Sequence, residues 1–452
     1  MTHLDSNSLA IVVMVVTFLY LGYQGVPVAF ALAAGAFVTT AFFTKISLAS
    51  MVGQMFNGIN SLEFLAIPFF LLAGDMMTAA NITERLIRLA QVFVGHFRSG
   101  LAHVVSLSSM LFAGISGSMT ADVAAISTVV MPYMKREGYD PAFSAALVAS
   151  ASTIAAMVPP SIMAIVYGAV GNVSIAGLFL GGATPGLMVG VGLMIYSYLF
   201  GPPGIKKPRA TLGQMAVAGR AALLPLMIPI IIIGGVVTGT VTPAEAGMIA
   251  VVYILVVLLP LMNRGHIRHL PRDFMEAAVL YSLPMSAVAA ASAVGWLLAY
   301  LGGPDIVRGW IEAVAGDNRI AIMYLMVVVL TIAGDFLDGV PAIAIFMPII
   351  VALTQLAHIN PVHMGVLIIV SLAFGLITPP YGLILLLAAT LAGVPFTRAL
   401  RQSVPLYGIF FLVITLIILF PDVVLWLPRL VIPQSVGCFP NPGGAGFICP
   451  PN

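Results

Sequence analysis

Residues 141–170, PAFSAALVASASTIAAMVPPSIMAIVYGAV, are largely apolar and carry Pro159 and Pro160 near their centre. About 20 such residues suffice to cross ~30 Å of hydrocarbon, so the segment reads as a membrane span. A proline inside a helix removes an N–H donor and clashes with the preceding turn. Two in succession should unwind the helix and free carbonyls where no bulk water satisfies them. The pattern returns in 363–392, HMGVLIIVSLAFGLITPPYGLILLLAATLA, where Pro379 stands 220 residues after Pro159. A bound cation or a polar substrate would satisfy the freed carbonyls; the alternative is a kink repaired by Ser or Thr hydroxyls. Two breaks at matched positions, each beside a polar hairpin, point to a site.

Composition sets the wider frame. The chain of 452 residues is 61% hydrophobic and 8% charged, with a mean hydropathy of +1.11. Soluble domains are typically about 25% charged, which excludes the soluble and disordered classes. A net charge of +2 without a long basic run argues against a nucleic-acid partner. Cys438 and Cys449, both in the final tail, are too few for a disulfide framework or a zinc site. No Gly-x-x-x-x-Gly-Lys-Ser/Thr run occurs, so ATP-driven pumping by this chain has no support.

Ten spans are expected, near 8–22, 26–43, 61–80, 141–170, 175–200, 222–238, 243–262, 276–301, 363–392 and 403–428. The first positive residue is Lys45, so 8–22 lacks the basic flank of a signal peptide and reads as a retained span. Two further stretches, 100–135 and 319–355, each comprise two apolar arms around a polar, glycine-bearing centre. Arms of about 16 residues reach only ~24 Å, which favours re-entrant hairpins over pairs of short spans. Lys206, Lys207, Arg209 and Arg220 mark the 204–221 linker as cytoplasmic. Counting outward places both termini outside, with the first hairpin entering from the cytoplasm and the second from the exterior.

The halves echo each other. Pro27 and Pro243, Asp122 and Asp338, and Met131-Pro132 and Met347-Pro348 each lie 216 residues apart, whereas Pro185 and Pro405 lie 220 apart. One four-residue insertion reconciles the offsets. An odd number of crossings separates equivalent points, so the repeats are inverted, an arrangement typical of secondary transporters with broken helices at the midplane. The expected architecture is an all-α polytopic membrane protein of two inverted repeats, 1–203 and 222–430. Each holds a re-entrant hairpin and a broken helix, and a Gly/Pro-rich tail, 431–452, follows.

The few acids at membrane depth have structural roles open to them. Glu245 follows Thr242 by three with Pro243 between, a capping box at a helix start. Asp122 and Asp338 begin the second hairpin arms, where a carboxylate complements the helix dipole or supports a cation; both readings stand. Asp75 is expected near the inner end of its span, and Asp335 sits in the second tip. An intramembrane aspartyl protease is a rival reading, since Gly74-Asp75 and Gly334-Asp335 repeat a glycine-aspartate pair. Its dyad needs two carboxylates sharing a proton, yet the dipeptides fall at non-equivalent places in the repeats. An ion channel is the other rival, but the polar groups gather at two tips and two breaks rather than along a pore.

At these residues the sequence resembles a known family. Ala113-Gly-Ile-Ser-Gly-Ser-Met-Thr-Ala-Asp122 with Met131-Pro132 is similar to the first hairpin of the large membrane subunit of TRAP transporters. Pro159-Pro160-Ser161, Thr242-Pro-Ala-Glu-Ala246, Phe336-Leu-Asp-Gly339 and Gly375-Leu-Ile-Thr-Pro-Pro380 match further family segments, so the resemblance runs from about 10 to 430. It implies sodium-driven uptake of a small organic anion, such as a C4-dicarboxylate or sialic acid, across a bacterial or archaeal cytoplasmic membrane. It also implies a scaffold and a mobile transport domain moving as an elevator. The implied partners are a small four-helix membrane subunit and an extracytoplasmic substrate-binding protein.

With Na+ as the implied coupling ion, half-helix carbonyls facing the breaks become the expected ligands. In the first repeat the sodium candidates are Gly114, Ser116, Ser118, Asp122, Thr153 and Pro159, with Ser152 a neighbouring hydroxyl. In the second they are Gly334, Asp335, Asp338, Gly339, Thr378 and Pro379. Ser116, Ser118, Pro160, Ser161, Pro380 and Tyr381 are the candidates for substrate. No Lys or Arg occurs at either tip or break, so the anion should rest on hydroxyls, backbone donors and helix N-termini.

Overall fold

The computed structural model describes residues 6–79, 82–205, 208–316, 318–437, 439–440 and 447–448. Lys206, Lys207, Cys438 and Cys449 lie outside the described residues. Among the described residues the regular structure is helical, apart from the two-residue strands Phe439–Pro440 and Phe447–Ile448, which pair antiparallel. Among the described residues, eight helices are long and apolar enough to cross a membrane, or nine if the bent pair Leu48–Ile59 and Leu62–Met77 counts as one span. The protein is therefore a multi-pass membrane protein. The expected ten differs because Val28–Phe43 has only 16 residues and each broken span divides into halves too short to qualify alone.

Both breaks fall where the prolines placed them. Pro141–Ser152 passes into the 3-10 turn Thr153–Ala156, the chain turns through Pro159 and Pro160, and Ile162–Gly171 resumes. Pro361–Gly375 likewise gives way to a turn, and Leu383–Ala392 follows. Both Pro-Pro bonds are cis. Asp140 and Asn360 cap the two first halves, Asp140 accepting from Ala142 N and Asn360 from Val362 N and His363 N.

The hairpins are Gly100–Ser116 with Met119–Arg136, and Arg319–Phe336 with Gly339–Leu356. Their arms of 17 or 18 residues are longer than expected, and both arms of the second qualify as spans by length. The structure also corrects the register of the repeat. Ser116 and Phe336 close the first arms, and Ser118 and Asp338 occupy the N-cap positions of the second, so the offset is already 220 at the hairpins. Asp338 thus corresponds to Ser118, and Asp122 lies one turn further along its helix. A shift of four residues is nearly one helical turn and returns to the same face, which is why the sequence pattern matched at both offsets.

Two short helices fall outside the expected spans, and the expected 403–428 divides into Phe396–Leu419 and a third short helix. Leu48–Ile59, Gly303–Ala315 and Asp422–Val431 are short and amphipathic. The stretch before the first hairpin is the amphipathic helix Ile82–Val94. Thr242 and Glu245 form the expected capping box, with Thr242 N donating to Glu245 Oε2 at 2.7 Å and Glu245 N to Thr242 Oγ1 at 3.3 Å.

The repeats are woven together. Gly339–Leu356 of the second repeat packs on Ile162–Gly171 of the first, and Met119–Arg136 of the first packs on Leu383–Ala392 of the second. At these crossings a Cβ on Gly339 would run into the Met163 side chain, and one on Gly171 would lie 3.1 Å from the Met347 sulfur. The helix Leu270–Tyr300 joins this assembly to the outer helices, touching Val28–Phe43, Leu48–Ile59 and Gly339–Leu356.

Candidate functional site

Both hairpin tips open onto one cavity of about 580 Å3. The first contributes Gly117–Ala121, and the second Asp338, Val340 and Pro341. Ala156, Ile162, Met163 and Leu383 enter from the helix breaks, while Leu71, Asp75 and Pro284 close the opposite wall. The charged side chains lining it are Asp75 and Asp338, with no cationic one. Volumes of 300–1,000 Å3 and mostly apolar walls with a few polar groups are usual for small-molecule sites.

The first tip is locked onto the first break. Gly117 adopts a left-handed backbone (φ +59°) and its carbonyl accepts from Ile162 N at 3.4 Å. A Cβ there would strike the carbonyl oxygen of Pro160. Ser118 caps the second arm by accepting from Ala121 N and also bonds Thr120 Oγ1 at 3.0 Å. Ser161 caps the resumed helix, accepting from Ala164 N at 3.1 Å while its hydroxyl donates to Ala156 O. Thr153 is buried and its hydroxyl donates to Ser150 O at 2.7 Å. Of the first-repeat candidates, the structure brings Ser118 to the cavity; Ser116, Thr153, Pro159, Pro160 and Ser161 are buried behind it.

Asp122 is fully buried beside the hydroxyls of Ser109 and Ser152. The two serine hydroxyls are the groups that face its carboxyl. Buried polar atoms are nearly always paired, and here the carboxyl and the two hydroxyls form one cluster of hard oxygen atoms. Sequence reasoning placed Asp122 and Ser152 near one another but missed Ser109, which sits mid-arm with no local signal; only packing reveals it.

The second tip is arranged differently. A Cβ on Gly334 would lie 2.8 Å from Leu372 O, so the first arm sits directly on the broken helix. Asp335 is buried with its carboxyl beside the backbone N–H groups of Tyr381 and Gly382. Phe336 meets the Tyr381 ring edge-on at 5.4 Å. Thr378 donates to Gly375 O at 3.0 Å. Pro379, Pro380 and Tyr381 are exposed, unlike Pro159, Pro160 and Ser161, and do not line the cavity. Asp338 is exposed to the cavity. The matched sequence breaks are thus one sealed and one open.

The open break is held from behind. Tyr407 donates its hydroxyl to Ile377 O at 2.6 Å and accepts from Ser403 Oγ at 2.9 Å. Tyr407→Phe should leave the Ile377 carbonyl unsatisfied and lower stability by ~1–3 kcal/mol. Thermal unfolding in detergent tests this; an unchanged midpoint would show that the break does not depend on that bond.

Asp75 lines the cavity, whereas Asp335 does not, and the acids acting on Asp75 are Asp273 and Glu276. The two glycine-aspartate pairs therefore do not build a proteolytic dyad. Hairpins, paired breaks and a shared cavity define a membrane transporter. The profile of the Tripartite ATP-independent periplasmic transporter DctM component matches residues 12–423, so the chain belongs to that family. It is not an enzyme. The sialic acid TRAP transporter large permease protein of Vibrio cholerae is 34% identical over 420 residues, 90% of this chain and 96% of that one. The C4-dicarboxylate TRAP transporter large permease protein of Pseudomonas aeruginosa is 34% identical over 396 residues, 87% and 92% respectively. An ectoine TRAP transporter large permease protein of Halomonas elongata is 30% identical, covering 92% and 98%. Among solved structures, Neisseria gonorrhoeae MtrF, from a class of antimetabolite efflux pumps, superposes with a TM-score of 0.52 at 10% identity. That match covers 82% of this chain and 84% of MtrF, and it speaks for the fold alone.

Proposed function

We propose that this chain is the large permease of a sodium-coupled importer of a small organic acid, in a bacterial or archaeal cytoplasmic membrane. It works with a small membrane subunit and an extracytoplasmic binding protein, and carries its cargo by elevator movement of the hairpins and broken helices. The observation that carries this reading is the single cavity onto which both hairpin tips open. The large-permease relatives are named for sialic acid, C4-dicarboxylates and ectoine, which supports a small organic acid as cargo.

With no cation in the cavity wall, the cargo's carboxylate rests on Ser118, Thr120 and the N-terminal backbone donors of Met119–Arg136. A helix N-terminus carries roughly half a positive charge, too little to balance a carboxylate alone. Sodium supplies the remainder. The clustered oxygens of Asp122, Ser109 and Ser152 suit a small hard cation, one turn from the tip. Uptake into vesicles holding all components should fall to background when potassium or choline replaces sodium. Undiminished uptake in potassium would refute the coupling.

A further inference from the structure

A larger hollow, about 1040 Å3, opens away from the central cavity, between Ile82–Val94 and the first turns of Leu212–Val237. Ile82–Val94 buries Ile82, Leu86, Leu89 and Ala90 against the protein. Its other face turns Arg85 and Arg88 into the hollow, with His96 just beyond its end. Arg209 completes the lining from the opposite side, and Glu84 is the one acid among the lining residues.

The electrostatics there are unbalanced. None of Arg85, Arg88 and Arg209 takes part in an ion pair among the described residues. His96 Nδ1 is buried without a hydrogen-bond partner. Lys206 and Lys207 precede Arg209 in the sequence. The surroundings are equally unbalanced in polarity: Val217 stands exposed in the lining, and Phe93 and Leu212, chain neighbours of the lining residues Val92, Thr211 and Gly213, are exposed as well. A water-soluble anion would satisfy the guanidinium groups and leave those apolar side chains uncovered. A molecule with an anionic head and an apolar tail satisfies both.

We propose that this hollow binds the phosphate headgroup of an anionic phospholipid, with its acyl chains against Phe93, Leu212 and Val217. Basic pockets between helices at a membrane surface hold such headgroups, and the three guanidinium groups give the phosphate forked donors. The lipid bridges the amphipathic helix leading into the first hairpin and the helix that opens the second repeat. It therefore ties the two together from outside the transport cavity.

The test is lipid retention by the purified full chain, read by native mass spectrometry from mixed phosphatidylglycerol and phosphatidylcholine micelles. The expected result is selective retention of phosphatidylglycerol. Each arginine near an anionic headgroup contributes about five-fold, so Arg85→Gln, Arg88→Gln and Arg209→Gln together should lower that retention roughly a hundred-fold. The matching triple lysine variant should keep most of it, and Arg98→Gln, outside the hollow, should change nothing. Should the triple glutamine variant misfold, Arg88→Gln alone should still give about a five-fold loss. Equal retention of both lipids, or undiminished retention by the glutamine variants, would overturn the proposal. So would glycerol 3-phosphate binding as tightly as phosphatidylglycerol, which would make the ligand a free phosphate. Loss of a small membrane subunit with lipid retention intact would also overturn it, making the hollow a protein contact.

Discussion

Gly117→Val is expected to abolish transport while the protein still inserts and purifies. Gly117 has a left-handed backbone, which costs a residue with a Cβ about 1–2 kcal/mol. The added carbon would also meet the carbonyl oxygen of Pro160, a backbone atom that cannot swing aside. The tip must then lift from the break, losing the bond from Ile162 N to Gly117 O and reshaping the cavity wall that Gly117 and Ile162 share. The damage is local, since the arms keep their own packing. Uptake in proteoliposomes and thermal unfolding, measured together, check it. Transport at half the parent rate or better would show that the tip need not rest on the break.

The second large effect is at Asp338, where capping and cation support are separable. Asp338 is the N-cap of Gly339–Leu356, with its carboxyl beside the N–H groups of Gly339 and Val340 and open to the cavity. Asparagine caps a helix as well as aspartate, whereas alanine loses ~1 kcal/mol. If Asp338 only caps, Asp338→Asn transports normally and Asp338→Ala is merely less stable. If its charge holds a cation near the cargo, both variants need roughly ten- to a hundred-fold more sodium for half-maximal uptake, because a charge pair at an effective dielectric of ~20 is worth several kcal/mol. The expected outcome is the second. An asparagine variant with unchanged sodium dependence would return Asp338 to a purely structural role.

The features that govern backbone geometry were legible in the sequence. Pro159-Pro160 and Pro379-Pro380 announced the breaks because proline acts through its own ring, whatever surrounds it. Gly114–Ser118 and Gly334–Gly339 announced the tips for a similar reason. What packing decides was not legible. Gly303–Ala315, with Pro304 and Asp305 in its first turn, carries too little hydrophobicity to register as a span. The 216-residue match of Asp122 with Asp338 misled because one helical turn preserves the face. Ser109 belongs beside Asp122 only through the fold of the hairpin. The sealed first break and open second break are likewise invisible in two nearly matched strings, because exposure depends on which partner covers each.

The interwoven crossings have a consequence for how the chain is made. Ile162–Gly171 finds its partner in Gly339–Leu356, which is translated some 170 residues later. At 5–20 residues per second, synthesis alone separates the two by roughly 10–30 seconds. Throughout that interval the first half sits in the bilayer with small residues such as Gly171 facing lipid rather than Met347. Assembly of the interwoven core is therefore a late, post-insertional event. An early stop codon would leave an N-terminal half that spans the membrane yet lacks the surface needed to complete itself.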